Sequence, residues 1–590
     1  MVWRCLFFQF PRIAIAVASL PMTLLAGTSA IAQVSQPPLQ RQGTEVYLND
    51  RREFVPWRQW QDATGWRIQI GDTGLRSIAG FDLLSTSDPT RQPVEWFSDF
   101  PTEPIVLPAQ FDGKYRYLDV SELARRLGWQ MEVRENTLYI KSEATQVRAI
   151  RQGEQPWGQR IVFELSGNAP WHMDRQDDRW LVSFDSTIFK DIVKRLPPSK
   201  LWTIEASAQG VRLFLNLPVS QTPRVYTLSN PDRLVIDIGA DPIAERDILW
   251  MPGIRWRQQM VEVRESRFPV VWLEVDRHRS ELEFQPIWTN PDSQVGIAPL
   301  QETASAWGAI AAINAGFFNR NTELSLGAIR SDDRWYSSPI LHRGAIGWDE
   351  AGNFEIDRLT LQEELITAEG QHIGLGYLNS GYAQGGASRY TPEWGETYMP
   401  LSDNEILVAV EGDRATQHIK GGLAGETPVP IPADGYLLAL RDAPDLANSF
   451  PIGTQLAIAQ TTEPASFDRY SQILAAGPLL VQNSQIVLDA LAERFNPYFA
   501  KGRASRSAIG TTKTGQFLLV ILRPDATGRG ATLWETAEVM RQLGAVDALN
   551  LDGGSSASLY LGGQLVDRVP ATAARVHNGL GIFFRSSTNP

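Results

Sequence analysis

One pattern occurs twice in this chain and limits how it can fold. Gly308-Ala-Ile-Ala-Ala-Ile-Asn314 and Gly544-Ala-Val-Asp-Ala-Leu-Asn550 share the form glycine, alanine, apolar, any, alanine, apolar, asparagine, each after a helical segment. Arg343-Gly-Ala-Ile-Gly347, with Gly352 and Phe354, matches Arg506-Ser-Ala-Ile-Gly510, with Gly515 and Phe517, at the same spacing. Two halves built on one plan bring paired Asn and Arg residues towards a shared cleft.

The second copy runs into Asn550-Leu-Asp552-Gly-Gly-Ser-Ser-Ala-Ser558, a polar, glycine-rich stretch between two apolar runs. Thr532-Leu-Trp-Glu535 has the form of a capping box and Gly544 is placed to stop the helix that follows it. The spacing therefore predicts a helix feeding a buried strand, Ala545 to Leu549, which delivers Asp552 to a strand end. Gly553 and Gly554 let the backbone turn there and let a ligand approach main-chain N–H groups. A tight turn with solvated hydroxyls would look the same.

Four blocks in order carry a family resemblance: Asn314-Ala-Gly-Phe-Phe318, Arg506-Ser-Ala-Ile-Gly510, Asp552-Gly-Gly-Ser-Ser556 and Arg575-Val-His-Asn-Gly-Leu-Gly-Ile582. They resemble successive blocks of the phosphodiester glycosidase family, over residues 250–586. Ala315 stands where that family often has Gly, and Asp552 is followed by two glycines where many members have three. The resemblance implies hydrolysis of a sugar-1-phosphodiester of N-acetylhexosamine type.

Of the 590 residues 43% are hydrophobic, enough for several packed cores. Arg4 and Arg12, the apolar stretch from Ile13 to Ala26 and Ala30-Ile-Ala32 read as a secretory signal cleaved after Ala32, with a linker over 33–43. No later stretch is apolar enough for a transmembrane segment, so the expected location is periplasmic or secreted. The single cysteine, Cys5, leaves with the signal, and a net charge of −12 argues against a nucleic-acid partner.

Residues 44–145 combine strands with a short helical pattern over Tyr117 to Gly128 and a hairpin around Glu135-Asn136. They resemble the copper amine oxidase N-terminal-like module, without any His or Cys cluster to hold copper. Residues 146–240 alternate in short β runs and are similar to AMIN domains, a β-sandwich; Trp157, Trp171 and Trp180 are candidates for stacking on sugar rings. The expected class is α+β multidomain: a small α+β module, a β-sandwich module, and a larger mixed α+β catalytic domain with the internal pseudo-repeat.

A phosphate leaving group hardly needs protonation, so one carboxylate and a set of cations suffice to release a sugar from a phosphodiester. Asp552 is the candidate carboxylate, with Arg506 and Arg575 as catalytic cations, because a guanidinium fork matches two phosphate oxygens. Arg343, Asn314, Asn578, Gly553, Gly554, Ser555 and Ser556 are candidates for substrate binding, and His577 is a minor acid-base candidate. No cofactor and no metal site are predicted; a divalent ion at Asp552 stays open, without an obvious ligand set. The expected partner is a cell-wall or exopolysaccharide glycan. Two alternatives stand beside this reading: a non-catalytic glycan-binding protein, and a glycosidase of non-phosphorylated wall glycans.

Overall fold

The computed structural model describes residues 41–63, 65–98, 105–207 and 210–585, so the signal and most of the linker lie outside the described residues. The chain is mostly β, with 50% in strands and 12% in helices, which corrects the expected α+β class. The helices are short, the longest being Leu533–Gln542, and they sit at strand ends rather than forming a layer of their own. The apolar runs pair into many antiparallel sheets, because alternating Val, Ile, Leu and aromatic residues bury one face of a strand better than one stripe of a helix.

Residues 41–141 form a nine-stranded sheet carrying two short helices, Asp72–Ala79 and Ser121–Arg126. The hairpin read at Glu135-Asn136 is there, with Arg134 opposite Thr137. Residues 145–238 form sheets of five and four strands, with Phe163 of one against Phe184 of the other at 4.9 Å. Trp180 is buried in this core and the Trp171 ring lies over Gly80, so neither presents an open face to a sugar. Trp157 is half-buried beneath the Arg160 guanidinium.

Three further sheets build the site. An eight-stranded sheet contains Gln516–Leu522, Arg506–Thr512, Ala545–Asn550 and Leu479–Gln482 as neighbours. A five-stranded sheet places Ala311–Asn314 between Asn578–Phe584 and Leu559–Leu561. A second five-stranded sheet pairs Gly344–Trp348 with Phe354–Arg358 and with Gln472–Ala475.

The pseudo-repeat is real at this level and is out of register with the sequence pattern. Ala345 and Ala508 hold the same place in the two matching hairpins, and their neighbours on the third strand are Ala475 and Asn550. Two residues further on, Gly477 therefore stands where Asp552 stands. A Cβ at Gly477 would lie 2.7 Å from Glu493 Oε2, so a carboxylate from elsewhere fills that place in the first half. It is fully engaged, accepting from the Gly344 and Leu479 N–H groups and from Arg358 Nε.

The N-terminal sheet docks on these elements through buried polar contacts. Asp72 Oδ2 accepts from Arg116 Nη1 and Trp250 Nε1, both at 3.0 Å, and Thr73 Oγ1 donates to the Gly562 carbonyl. Removing either partner of the fully buried Asp72–Arg116 pair would leave an uncompensated charge.

Candidate active site

The Asp552 loop leaves the strand Ala545–Asn550 because local chemistry directs it there. Thr532 caps Leu533–Gln542 through the expected reciprocal bonds with Glu535, and Gly544 turns the chain at φ +89° into the strand. Beyond Asn550 the chain is stitched to two sheets. The Leu551 and Gly554 N–H groups donate to the Ser507 and Ser505 carbonyls, and the Asp552 N–H donates to the Ala315 carbonyl.

Asn314, fully buried, is the hub of this stitching. Its Nδ2 donates to the Asp552 carbonyl at 2.6 Å, while its Oδ1 accepts from Ser507 Oγ at 2.8 Å and the Ser558 N–H at 3.0 Å. Asn550 does the reciprocal job: its Nδ2 donates to the carbonyl of Gly477, the counterpart of Asp552. Asn314 thus holds the Asp552 loop and Asn550 the Gly477 loop.

The Asp552 side chain is half-buried, and burial raises its carboxyl to about 6; the Ser556 hydroxyl, the Arg320 charge and the Gly553 N–H pull in the opposite direction. Arg320, an exposed residue that donates to Ser555 Oγ at 3.4 Å, was not among the expected site residues. It stands six residues after Asn314, in a hairpin that folds back over the loop. Ser558 Oγ and Asn550 Oδ1 are buried around this loop without a hydrogen-bond partner among the described residues.

Arg506 is close behind the loop: a Cβ on Gly553 would lie 3.7 Å from its Cδ. It is buried, however, and its Nε and Nη2 donate to the Ala531 and Gly502 carbonyls, so one edge of the fork is already taken. Burial pushes it down to about 10, partly offset by Glu535, which leaves it a cation at neutral pH. Arg575 differs. It is exposed, makes no side-chain hydrogen bond or ion pair among the described residues, and follows Ala574, whose N–H donates to the Ser555 carbonyl.

Arg343 is not gathered at Asp552. Its Nε donates to the Glu493 carbonyl and its guanidinium lies 3.9 Å over the Phe495 ring. Phe495 stacks on Phe499 at 4.8 Å, and Arg506 lies 5.5 Å from the Phe499 ring. The two repeat-related arginines therefore bracket one aromatic stack, a feature whose sequence signal is two phenylalanines four residues apart just before Arg506.

Asn578 and His577 are supports. Asn578 Oδ1 accepts from the Gly316 N–H at 2.7 Å, and its Nδ2 lies 3.2 Å from His577 Nδ1. His577 Nε2 lies 2.9 Å from the Gln294 carbonyl, and burial pushes the ring down to about 4. A ring that is neutral above that value and already committed to a carbonyl orients Asn578; it is a poor proton carrier. The expected N–H cradle is also absent at Gly554, whose N–H is bonded to Ser505. Among the described residues no cluster of three or more His, Cys, Asp or Glu side chains is placed to hold a metal ion.

Comparison with known proteins adds to this geometry. Residues 404–583 match the family model of phosphodiester glycosidase, a stretch that includes Arg506, Asp552, Arg575 and Asn578 and excludes Asn314 and Arg343. The match covers less than a third of the chain. The N-acetylglucosamine-1-phosphodiester alpha-N-acetylglucosaminidase of Mus musculus is 42% identical over 67 residues, 11% of this chain and 13% of that one. The Homo sapiens protein of the same name is 42% identical over 62 residues, 10% and 12% of the two chains. These matches span only about an eighth of the curated relatives. A solved structure of a hypothetical protein from Synechocystis covers far more: 92% of this chain and 99% of that one, at 40% identity and a TM-score of 0.86. This chain and the Synechocystis protein belong to one family.

Proposed function

We propose that this chain hydrolyses the bond between an anomeric carbon and a phosphodiester, an N-acetylhexosamine-type linkage in an envelope or exopolysaccharide glycan. The observation that carries the reading is the Asp552 carboxyl, half-buried and raised to about 6, on a loop that both pseudo-halves hold in place. A group with that value is mostly ionised at neutral pH and still basic enough to accept a proton from attacking water. The departing group is a phosphate monoester, a weak base, so no second carboxyl is required to protonate it.

The cations divide the remaining work. Arg320, on Ser555 Oγ, and the exposed Arg575, which follows the Ala574 bonded to the Ser555 carbonyl, supply charge for the phosphate oxygens. Arg506 contributes positive potential from behind the loop while its Nε–Nη2 edge anchors two carbonyls. Asn314 sets where the carboxylate stands, and Asn578 sets the Gly316 turn beside it. On this reading the enzyme is exported, and residues 44–240 keep it near its glycan.

Turnover of an N-acetylglucosamine-1-phosphodiester, compared with a matched glycoside lacking phosphate, tests the proposal. The expected result is preferential cleavage of the phosphodiester, with the preference reduced in Arg575→Ala. Equal cleavage of the phosphate-free glycoside, or cleavage of neither, would overturn it.

A further inference from the structure

A cleft of about 540 Å³ lies on the N-terminal sheet, away from Asp552. Its opening is set by a β-bulge at Gly43–Glu45, where the pairing of Arg41–Leu48 with Arg51–Asp62 shifts register. Only glycine fits at 43, since a Cβ would lie 2.1 Å from the Asn136 carbonyl oxygen and 2.9 Å from Trp57 Nε1. Trp57 is fully buried beneath the cleft, and its indole N–H has no partner among the described residues. Phe54, 63% exposed, and the half-buried Tyr115 supply aromatic surface on the walls.

We propose that this cleft is a binding site for a neutral oligosaccharide chain. Pyranose rings offer C–H faces that stack on aromatic rings and hydroxyls that pair with side-chain carboxylates and amides. The lining carries both signs of charge. Glu45 and Asp112 bring two carboxylates against the single ammonium of Lys114, which itself lies 5.2 Å over the Tyr115 ring. Arg52 and Arg58 pair with those carboxylates from outside the lining, at 3.9 Å for Arg58–Asp112, which leaves the Lys114 ammonium over the Tyr115 ring as the lining's own cation.

The position of the cleft gives it a use. Gln564 Nε2 donates to the Phe54 carbonyl, and a Cβ at Gly563 would lie 3.5 Å from the Tyr115 ring. Gly563 belongs to the turn between Leu559–Leu561 and Gln564–Leu565, and the other end of that hairpin is Ser558, held by Asn314. Three strand residues, about 10 Å, separate the two ends. A chain held in the cleft is anchored one hairpin away from the Asp552 loop. The inference goes beyond the proposed hydrolysis and stands whether or not Asp552 is catalytic.

Calorimetric titration of the full chain carrying Asp552→Asn, with β-1,4-linked hexamers of N-acetylglucosamine and of glucose and with polyphosphate, tests it. Saturable binding of a neutral hexamer, weakened roughly tenfold or more in Phe54→Ala and in Tyr115→Ala, is expected. Phe54 is exposed and bonds Gln564 only through its main chain, so an unchanged melting temperature accompanies the first variant. Absence of binding by both hexamers, affinity in the two variants equal to that of the chain carrying Asp552→Asn alone, or binding of polyphosphate at Phe54 in their place would overturn the proposal. Turnover of a glycosyl phosphodiester by the unaltered chain is read separately, so a failed cleft and a failed active site give different results.

Discussion

Asn314 Nδ2 donates to the main-chain carbonyl of Asp552 at 2.6 Å, although 238 residues separate the two. The same side chain accepts from Ser507 and from the Ser558 N–H, so one buried amide fixes three segments. Asn314→Ala leaves those donors unsatisfied and should lower stability by roughly 2–4 kcal/mol. Denaturant midpoints check the cost. Kinetics check the consequence: kcat should fall more than KM rises, since the carboxylate is displaced without loss of substrate contacts.

The titration of Asp552 should appear in both activity and stability. Its carboxyl stands at about 6 against an ordinary 3.8, so between those values the folded chain keeps a proton that the unfolded chain has lost. The stability it contributes therefore falls as pH rises through that window, by an amount on the order of 2 kcal/mol. Asp552→Asn should accordingly raise the urea midpoint at pH 7, and a lower midpoint would show that burial is not what raises the group. In activity, kcat/KM should rise with pH through a midpoint near the value of about 6, and Arg320→Gln should move that midpoint upward.

His577 runs the other way. Its ring stands at about 4 against 6.5, so the unfolded chain takes up the proton first, and its contribution is full above 6.5 and lost as pH falls to about 4. His577→Gln should flatten the loss of stability on the acid side while leaving the midpoint of the kcat/KM profile unmoved. A shifted kinetic midpoint in that variant would make the imidazole a participant in proton transfer.

Neighbouring glycines should respond differently. A Cβ at Gly553 would lie 2.7 Å from the Ser505 carbonyl oxygen, so Gly553→Ala must displace the loop and should cost roughly tenfold to a hundredfold in kcat. At Gly554 nothing lies within 4 Å of such a Cβ, and only the φ of +66° opposes it. Gly554→Ala should cost about 1–2 kcal/mol of stability with a smaller effect on turnover. Melting curves and initial rates of the two variants separate the cases.

Local signals were the legible ones. The Thr532–Glu535 capping box, the Gly544 stop and the Glu135-Asn136 hairpin each depend on residues a few positions apart, and each is found where its pattern stands. The fold class was misread because helical periodicity was given the weight of whole layers, whereas helices such as Ser121–Arg126 are single turns at strand ends. The repeat was aligned on its asparagines; strand pairing aligns Asn550 with Ala475 instead, which hides the relation of Asp552 to Gly477. Arg320 and Glu493 reach the site only through tertiary packing, so no spacing announced them. Arg506 was visible as a motif residue, but its commitment to the Ala531 and Gly502 carbonyls was not.

The most direct measurement is kcat/KM on an N-acetylglucosamine-1-phosphodiester for the unaltered chain and for Asp552→Asn, at pH 7 and with melting temperatures recorded. A general base accounts for a loss of roughly a hundredfold to ten-thousandfold in a variant that remains folded. Turnover that survives in a folded Asp552→Asn protein would contradict the assignment of this carboxylate to the chemistry.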